Sequence, residues 1–491
     1  MSPRSFPALS PIAKARRRVS CPAGWSAGRE GKLAYIPTSG DPGDDHHPIG
    51  TPASRWGAVL AFMLVYIVSY IDRQVLTIVV DPVKLSLGIG DTEIGLLQGI
   101  LFSSVLMVAA VPMSYLIDHY NRSRVLIGCI VFWSLATLYC GFAATFVELM
   151  IGRIGLAVAE AIVPMAAMSV IGDLFPRHKV GRAAAVFMNG SYFGNGTAML
   201  LSGWMISWLT PMQGRPFPII GTFEVWRGLF MGMAGVSLVV ALGLFLFLKE
   251  PPRRELTKEQ VNAESFWAFF WEKRRFILSY CLFAGCISLL GYSLYAWPAT
   301  LLMRVHGMTP LEVGNIMGPL FIITSVPGTA LAAWLGSRCT PDRALQHLML
   351  VMVGFMVVLG PLLLALSLGT KPVAIVALGA VLLMYAAAHG AILTPMQLIA
   401  PNRMRARLLA ITALIYATPG SLGPAIIGLL TDRVFENPAM LGKAMALTLG
   451  SACVIGVFAG LFVWRQAIAF EGEARRRTET AAPTVLSSAT R

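Results

Sequence analysis

Apolar runs long enough to cross a bilayer recur from Trp56 onward, each parted from the next by a short polar turn or a cluster of charge. The pattern predicts spans at 56–80, 93–116, 124–142, 147–170, 182–208, 226–248, 276–303, 311–336, 344–367, 372–398, 407–431 and 441–466. A hydrocarbon core of about 30 Å needs about 20 such residues per helix. The expectation is an all-α membrane protein with twelve transmembrane helices. One polar stretch, 249–275, is longer than the other connections between spans and divides them six and six. It ends in Phe266-Trp267-Ala268-Phe269-Phe270-Trp271 followed by Lys273-Arg274-Arg275, the make-up of a short helix lying in the interface.

The halves repeat. Residues 115–126, with Asp118, Arg122 and Arg124, align with residues 334–345, with Arg338, Asp342 and Arg343, at an offset of 219. The same offset carries Trp56 onto Arg275, the threshold of the seventh span. Two pseudo-symmetric six-helix bundles, 56–248 and 276–466, are therefore expected around a central cavity. Residues 1–55 are basic and rich in Pro, Gly and Ser. They read as a disordered tail or as sequence ahead of the true start, and no apolar run of signal-peptide type follows their basic cluster. Residues 467–491 read as a second tail.

Composition sharpens the class. Of 491 residues, 56% are apolar and 13% charged, about half the charge density of soluble domains, and the mean hydropathy is +0.68. A soluble enzyme and a disordered chain are both excluded. The net charge of +14 would point to nucleic acid in a soluble protein. With a cytoplasmic N-terminus, however, 30 of the 39 Lys and Arg residues fall on the cytoplasmic side. That is the positive-inside bias. The expectation is a multi-pass protein of the inner or plasma membrane, with both termini cytoplasmic. The bilayer is its partner, no nucleic acid is expected, and a monomer is. The seven cysteines are dispersed without ligand spacing, so they read as small hydrophobes, with no metal site or disulfide framework.

Motifs narrow the reading. The loop after the second span keeps Asp118, Arg122 and Arg124 but has Ser114, Ile117 and His119 at other motif positions. With the twelve spans it resembles the major facilitator superfamily. Tyr70-Ile71-Asp72-Arg73, Gly95-Leu96-Leu97-Gln98, Asn121-Arg122, Glu160-Ala161 and Ile171-Gly172-Asp173-Leu174-Phe175 follow in the order and spacing of Spinster-type transporters. The usual glycines before the glutamate are Ala157 and Ala159 here. The resemblance implies alternating access, with Asp118, Arg122 and Arg124 holding the cytoplasmic gate.

Ionisable groups at membrane depth are costly and mark pathways or relays. Four stand out: Asp72 and Arg73 in the first span, Arg153 and Glu160 in the fourth. Arg153 and Glu160 are seven apart, so they share a helix face about 10 Å apart. A static cluster is one reading. The other, matching the Spinster quartet, gives Asp72 and Glu160 to proton coupling, and Arg73 and Arg153 to a charge switch that meets substrate. Burial disfavours a carboxylate's charge and a nearby guanidinium favours it, so a conformational change can load or release a proton. Guanidinium also matches phosphate or carboxylate in a fork. Tyr66, Tyr70, Tyr292, Tyr295 and His389 are candidates for lining the cavity. The resemblance implies a proton-driven transporter of an amphiphile with an anionic or zwitterionic head, needing no cofactor beyond the proton gradient. An organic-acid or drug transporter of the same fold, a membrane receptor or scaffold, and a membrane-embedded lipid enzyme are the alternatives. The last lacks a nucleophile–base or metal constellation.

Overall fold

A computed structural model of the chain describes residues 51–217, 221–247, 263–338, 343–401 and 404–481. The expectations for most of the basic tail, for linker residues 249–262 and for residues 482–491 lie outside the described residues, as do Cys21 and Cys339. Among the described residues, eleven helical rods are long and apolar enough to cross a membrane. In chain order they are span 1 (Ala53–Ile78), span 2 (Asp91–His119), span 3 (Arg122–Phe142), span 4 (Phe146–Leu174), span 6 (Val225–Leu246), span 7 (Arg274–Ala296), span 8 (Pro310–Ser337), span 9 (Ala344–Leu368), span 10 (Lys371–Ile399), span 11 (Arg407–Val434) and span 12 (Pro438–Gly472). Span 5 is the helix Arg177–Leu209. It is long enough to cross, but Asn189, Ser191, Tyr192 and Asn195 dilute its apolar character.

Local chemistry sets the ends. Thr51, Asn121 and Thr145 accept from backbone N–H groups at the starts of spans 1, 3 and 4, and Thr309 with Glu312 forms a capping box ahead of span 8. Proline sets several interruptions. Pro164, Pro298 and Pro395 lie just beyond the breaks at Ala161, Trp297 and Leu393, each removing the hydrogen bond to the carbonyl four residues earlier. Such breaks at membrane depth are tolerated where the freed groups are buried or line a cavity. Span 1 tightens into a 3-10 turn at Val75–Ile78, and span 2 is interrupted at Gly99.

Packing repeats between the halves. Span 1 packs on spans 5 and 6, span 3 on 4 and 6, and span 2 on 4. In the second half span 7 packs on 11 and 12, span 9 on 10 and 12, and span 8 on 10. The halves meet along two seams, span 5 on span 8 and span 2 on span 11, which exchange under the same pseudo-twofold. Glycine makes the first seam close: a Cβ at Gly314 would stand 2.5 Å from the Met199 carbonyl oxygen.

Two expectations change. The last helix does not end near 466 but runs Leu441–Ala481, 41 residues, about 60 Å of helix. The aromatic stretch after the linker forms the helix Ala263–Glu272, but its aromatics do not all face one medium. Phe266 and Phe270 are buried, Phe266 beneath the Arg407 guanidinium, while Trp267 and Trp271 are exposed.

Candidate functional site

Between the halves lies a cavity of about 250 Å³, walled by spans 1, 2, 4, 5, 7, 10 and 11. The first half contributes Arg73, Gln74, Gln98, Phe102 and Arg153; the second contributes Tyr292, Tyr295, Tyr385, His389 and Tyr416. One wall is cationic and the other phenolic. Tyr70 and Tyr192 complete the ring from spans 1 and 5.

The four predicted charges do not share one space. Arg73 donates from Nη2 and Nε to Glu160 Oε2, at 2.7 and 3.1 Å. Its side chain is 23% exposed to the cavity while that of Glu160 is 0% exposed, so the glutamate stands behind the arginine. Arg153 Nη1 donates to the Arg73 carbonyl oxygen at 3.1 Å, and its Nε has no partner among the described residues. Span 1 thus bridges the two span 4 charges, which sequence spacing had set on one helix face. Both guanidiniums cover the Phe102 ring, at 4.7 and 5.1 Å, and Arg73 also covers Tyr70 at 4.6 Å.

Asp72 turns the other way. Successive helical residues point about 100° apart, so when Arg73 enters the cavity Asp72 faces spans 3 and 6. There it accepts from the Ser237 hydroxyl, next to Trp133 and Thr137. Its Oδ1, the Trp133 indole N–H and the Thr137 hydroxyl are buried beside one another. The reading of all four charges as one cluster is corrected accordingly: Asp72 stands apart from the other three. Tyr66 is also corrected as a lining residue: it stacks on Phe187 at 4.7 Å, behind Tyr70. Tyr70, Tyr292, Tyr295 and His389 do line the cavity.

At the terminal face, Arg122 is buried and pairs with Asp173 of span 4 at 2.6 Å, with Ser169 beside it at 3.0 Å. This contact lies within one half and clamps span 3 to span 4. Asp118 and Arg124 are exposed at the 2–3 turn, where Asn121 caps the Arg124 N–H.

The opposite face carries a latch that the sequence did not announce. Arg304, after span 7, reaches Asp81 at 2.5 Å and Asp91 at 2.7 Å in the other half, and Lys84 also pairs with Asp91 at 2.6 Å. Burial works against the Arg304 charge, but pairing with Asp91 and Asp81 outweighs it and holds its pKa above the ordinary value. Asp432 accepts from the Thr92 N–H and hydroxyl, both at 2.7 Å, at the start of span 2, where the helix dipole favours an anion. Gly95 and Gly99 lie against the Pro424 and Ser421 carbonyl oxygens, where a Cβ would stand 2.4 and 2.3 Å away.

Around this latched face and central cavity the two halves repeat their packing, and the family model of the Major Facilitator Superfamily matches residues 62–428. The chain belongs to that superfamily. Transport of a small substrate by a multi-pass integral membrane protein follows from the membership. The chain is 26% identical over 421 residues to an MFS-type efflux pump of Mycolicibacterium smegmatis, covering 84% of this chain and 93% of that one. It is 28% identical over 456 residues to the human Protein spinster homolog 1, covering 85% and 82%. A solved bacterial homologue of the human lysosomal transporter Spinster, in an inward-facing and unoccupied conformation, superposes with a TM-score of 0.65. It is 25% identical, with 87% of this chain and 98% of that chain covered. The transporter is thus Spinster-like.

Sequence reasoning missed the uncharged lining. Gln74, Gln98, Phe102, Tyr192, Tyr385 and Tyr416 sit in apolar runs where a tyrosine or glutamine reads as packing. Gln98 had been noticed only as part of a motif.

Proposed function

We propose that this transporter is a proton-coupled carrier of an amphiphile with an anionic or zwitterionic head, working by alternating access. The observation that carries the reading is Arg73, whose guanidinium is held by a fully buried Glu160 on one side and open to the cavity on the other. An anionic head entering the cavity competes with Glu160 for that guanidinium. Loss of the pair leaves Glu160 as a buried carboxylate that takes up a proton, and departure of the substrate reverses the exchange. Asp72, buried beside Arg73 on the same helix, is the second proton carrier, and Arg153 holds the Arg73 carbonyl and screens the approach. In this reading both termini are cytoplasmic and the membrane is the inner or plasma membrane. The Arg304–Asp81–Asp91 latch then closes the outer side, so the conformation is inward-facing. The 56–248 and 276–466 bundles move as bodies, with Asp118, Arg122 and Arg124 at the gate that closes in the other state. The carrier acts as a monomer, is driven by the proton gradient and does no enzymatic chemistry.

The test is flux in proteoliposomes. Lysophospholipid movement that rises with an imposed pH gradient supports the proposal; movement indifferent to the gradient removes the coupling. A second reading, transport of a drug or organic acid, is favoured by the phenolic wall and by the likeness to an efflux pump. Gradient-driven movement of such compounds, with no movement of any lysolipid, would establish it instead.

A further inference from the structure

Gln98 is the last residue of the first helical segment of span 2, one position before the interruption at Gly99, and it lines the cavity. Its amide oxygen and amide nitrogen are both buried, and neither has a hydrogen-bond partner among the described residues. The other lining amide is different: Gln74 donates to Asn195 and accepts from Thr77. Buried polar atoms are nearly always satisfied, so an amide with neither end met at the wall of a binding cavity calls for an explanation.

The chain around it prevents a local remedy. Gly95 and Gly99 flank Gln98 and press span 2 against the backbone of span 11 at Pro424 and Ser421. In this conformation the backbone on either side of Gln98 lies tightly against span 11. One turn further on, Phe102 carries both the Arg73 and Arg153 guanidiniums over its ring. A group bound by those cations therefore lies within about one helical turn of the free amide.

We infer that Gln98 is a substrate-binding residue, reading a neutral hydroxyl next to the anionic group of the head. The amide presents one acceptor and one donor group, and a hydroxyl is the small group that answers both at once. The guanidiniums donate only, so they can meet a hydroxyl's oxygen but cannot accept its proton. The inference rests on the proposed amphiphile reading and narrows it, from anionic amphiphiles generally to those with a hydroxyl beside the phosphate or carboxylate.

The experiment uses two probes that differ in that hydroxyl alone: 1-oleoylglycerol 3-phosphate and its 2-deoxy analogue. Their binding to the purified full chain is measured by competition, for the wild type and for Gln98→Met, which keeps the side-chain length. A site built to bond a hydroxyl rejects the analogue that leaves its polar groups unmet. The wild type is therefore expected to prefer the hydroxylated probe by about tenfold or more. In Gln98→Met the preference falls to within about twofold, through loss of affinity for the hydroxylated probe. The thermal midpoint of the ligand-free variant stays level or rises, since an unmet amide has been removed. A wild type that binds both probes equally overturns the inference while leaving the amphiphile reading intact. So does a Gln98→Met variant that keeps the preference, or one that loses both probes in parallel with its thermal midpoint. A wild type that binds neither probe removes the amphiphile reading and this inference with it.

Discussion

Neutralising Arg73 and Glu160, singly and together, separates a working switch from an inert cluster. The nearest atoms of the pair are 2.7 Å apart, and charge centres about 4 Å apart interact by about 4 kcal/mol at an effective dielectric near 20. The Arg73 side chain is 23% exposed, so cavity water screens part of this, leaving about 2–3 kcal/mol of coupling. The two single changes are not equivalent. Arg73→Gln strands a carboxylate that is 0% exposed, a loss of about 3–5 kcal/mol. Glu160→Gln frees a guanidinium that can turn into cavity water, a loss of about 1–2 kcal/mol. The double variant strands no charge, so it should lose about 2–3 kcal/mol less than the singles summed. The assay is thermal unfolding of all four proteins in one detergent, read as differences in midpoint, because a twelve-span protein need not unfold in two states. Flux in liposomes is measured beside it and should stay impaired in the double variant, which has lost the headgroup partner. Additive midpoint shifts would refute the coupling. Full flux in the double variant would remove Arg73 from substrate binding.

Further outcomes follow from the same geometry. Asp72→Asn should fold, since the Ser237 hydroxyl that donates to it is neutral, yet it should lose pH-driven flux; unimpaired gradient-driven flux would exclude Asp72 from coupling. Arg304→Ala removes contacts to Asp81 and Asp91 across the halves. It should widen spin-label distances between the 1–2 and 7–8 connections, raising the open fraction of that face about tenfold for about 1.4 kcal/mol lost; unchanged distances would show that the latch is idle. Gly99→Val places side-chain carbon where the Ser421 carbonyl oxygen stands, 2.3 Å from an ideal Cβ, so it should push the same labels apart by separating spans 2 and 11. Asp118→Ala should shift labels across the terminal face toward the open state, and an unaltered distribution there would sink its gate role.

The span count was legible because a bilayer imposes its thickness on every crossing helix, and runs of about 20 apolar residues have few other uses. The repeat was legible because the 2–3 and 8–9 turns keep Leu116 and Leu335, Arg124 and Arg343, and Leu126 and Leu345 at matching places. Even span 5 was found, since residues 182–208 read as one of the recurring apolar runs. The site was half legible. Asp72, Arg73, Arg153 and Glu160 announce themselves because burying charge in hydrocarbon is costly enough to need a reason.

What the sequence by itself determined, then, was how many helices cross, how they repeat and which residues cannot be ordinary lipid-facing side chains. Only the tertiary structure decided which charge meets which. Asp72 and Arg73 are neighbours in the chain, yet a rotation of about 100° between them sends one toward Ser237 and the other to Glu160 and the cavity. The uncharged wall was decided there too. Tyr385 and Tyr416 of spans 10 and 11 and the unmet amide of Gln98 become a lining only when seven helices converge. The Arg304 latch looked like loop charge because its acids lie 223 and 213 residues away along the chain. Periodicity and transfer cost are properties of a segment against its solvent, so they can be read along a chain. Facing, pairing and closure are properties of several segments against one another, and they come into being only when those segments pack.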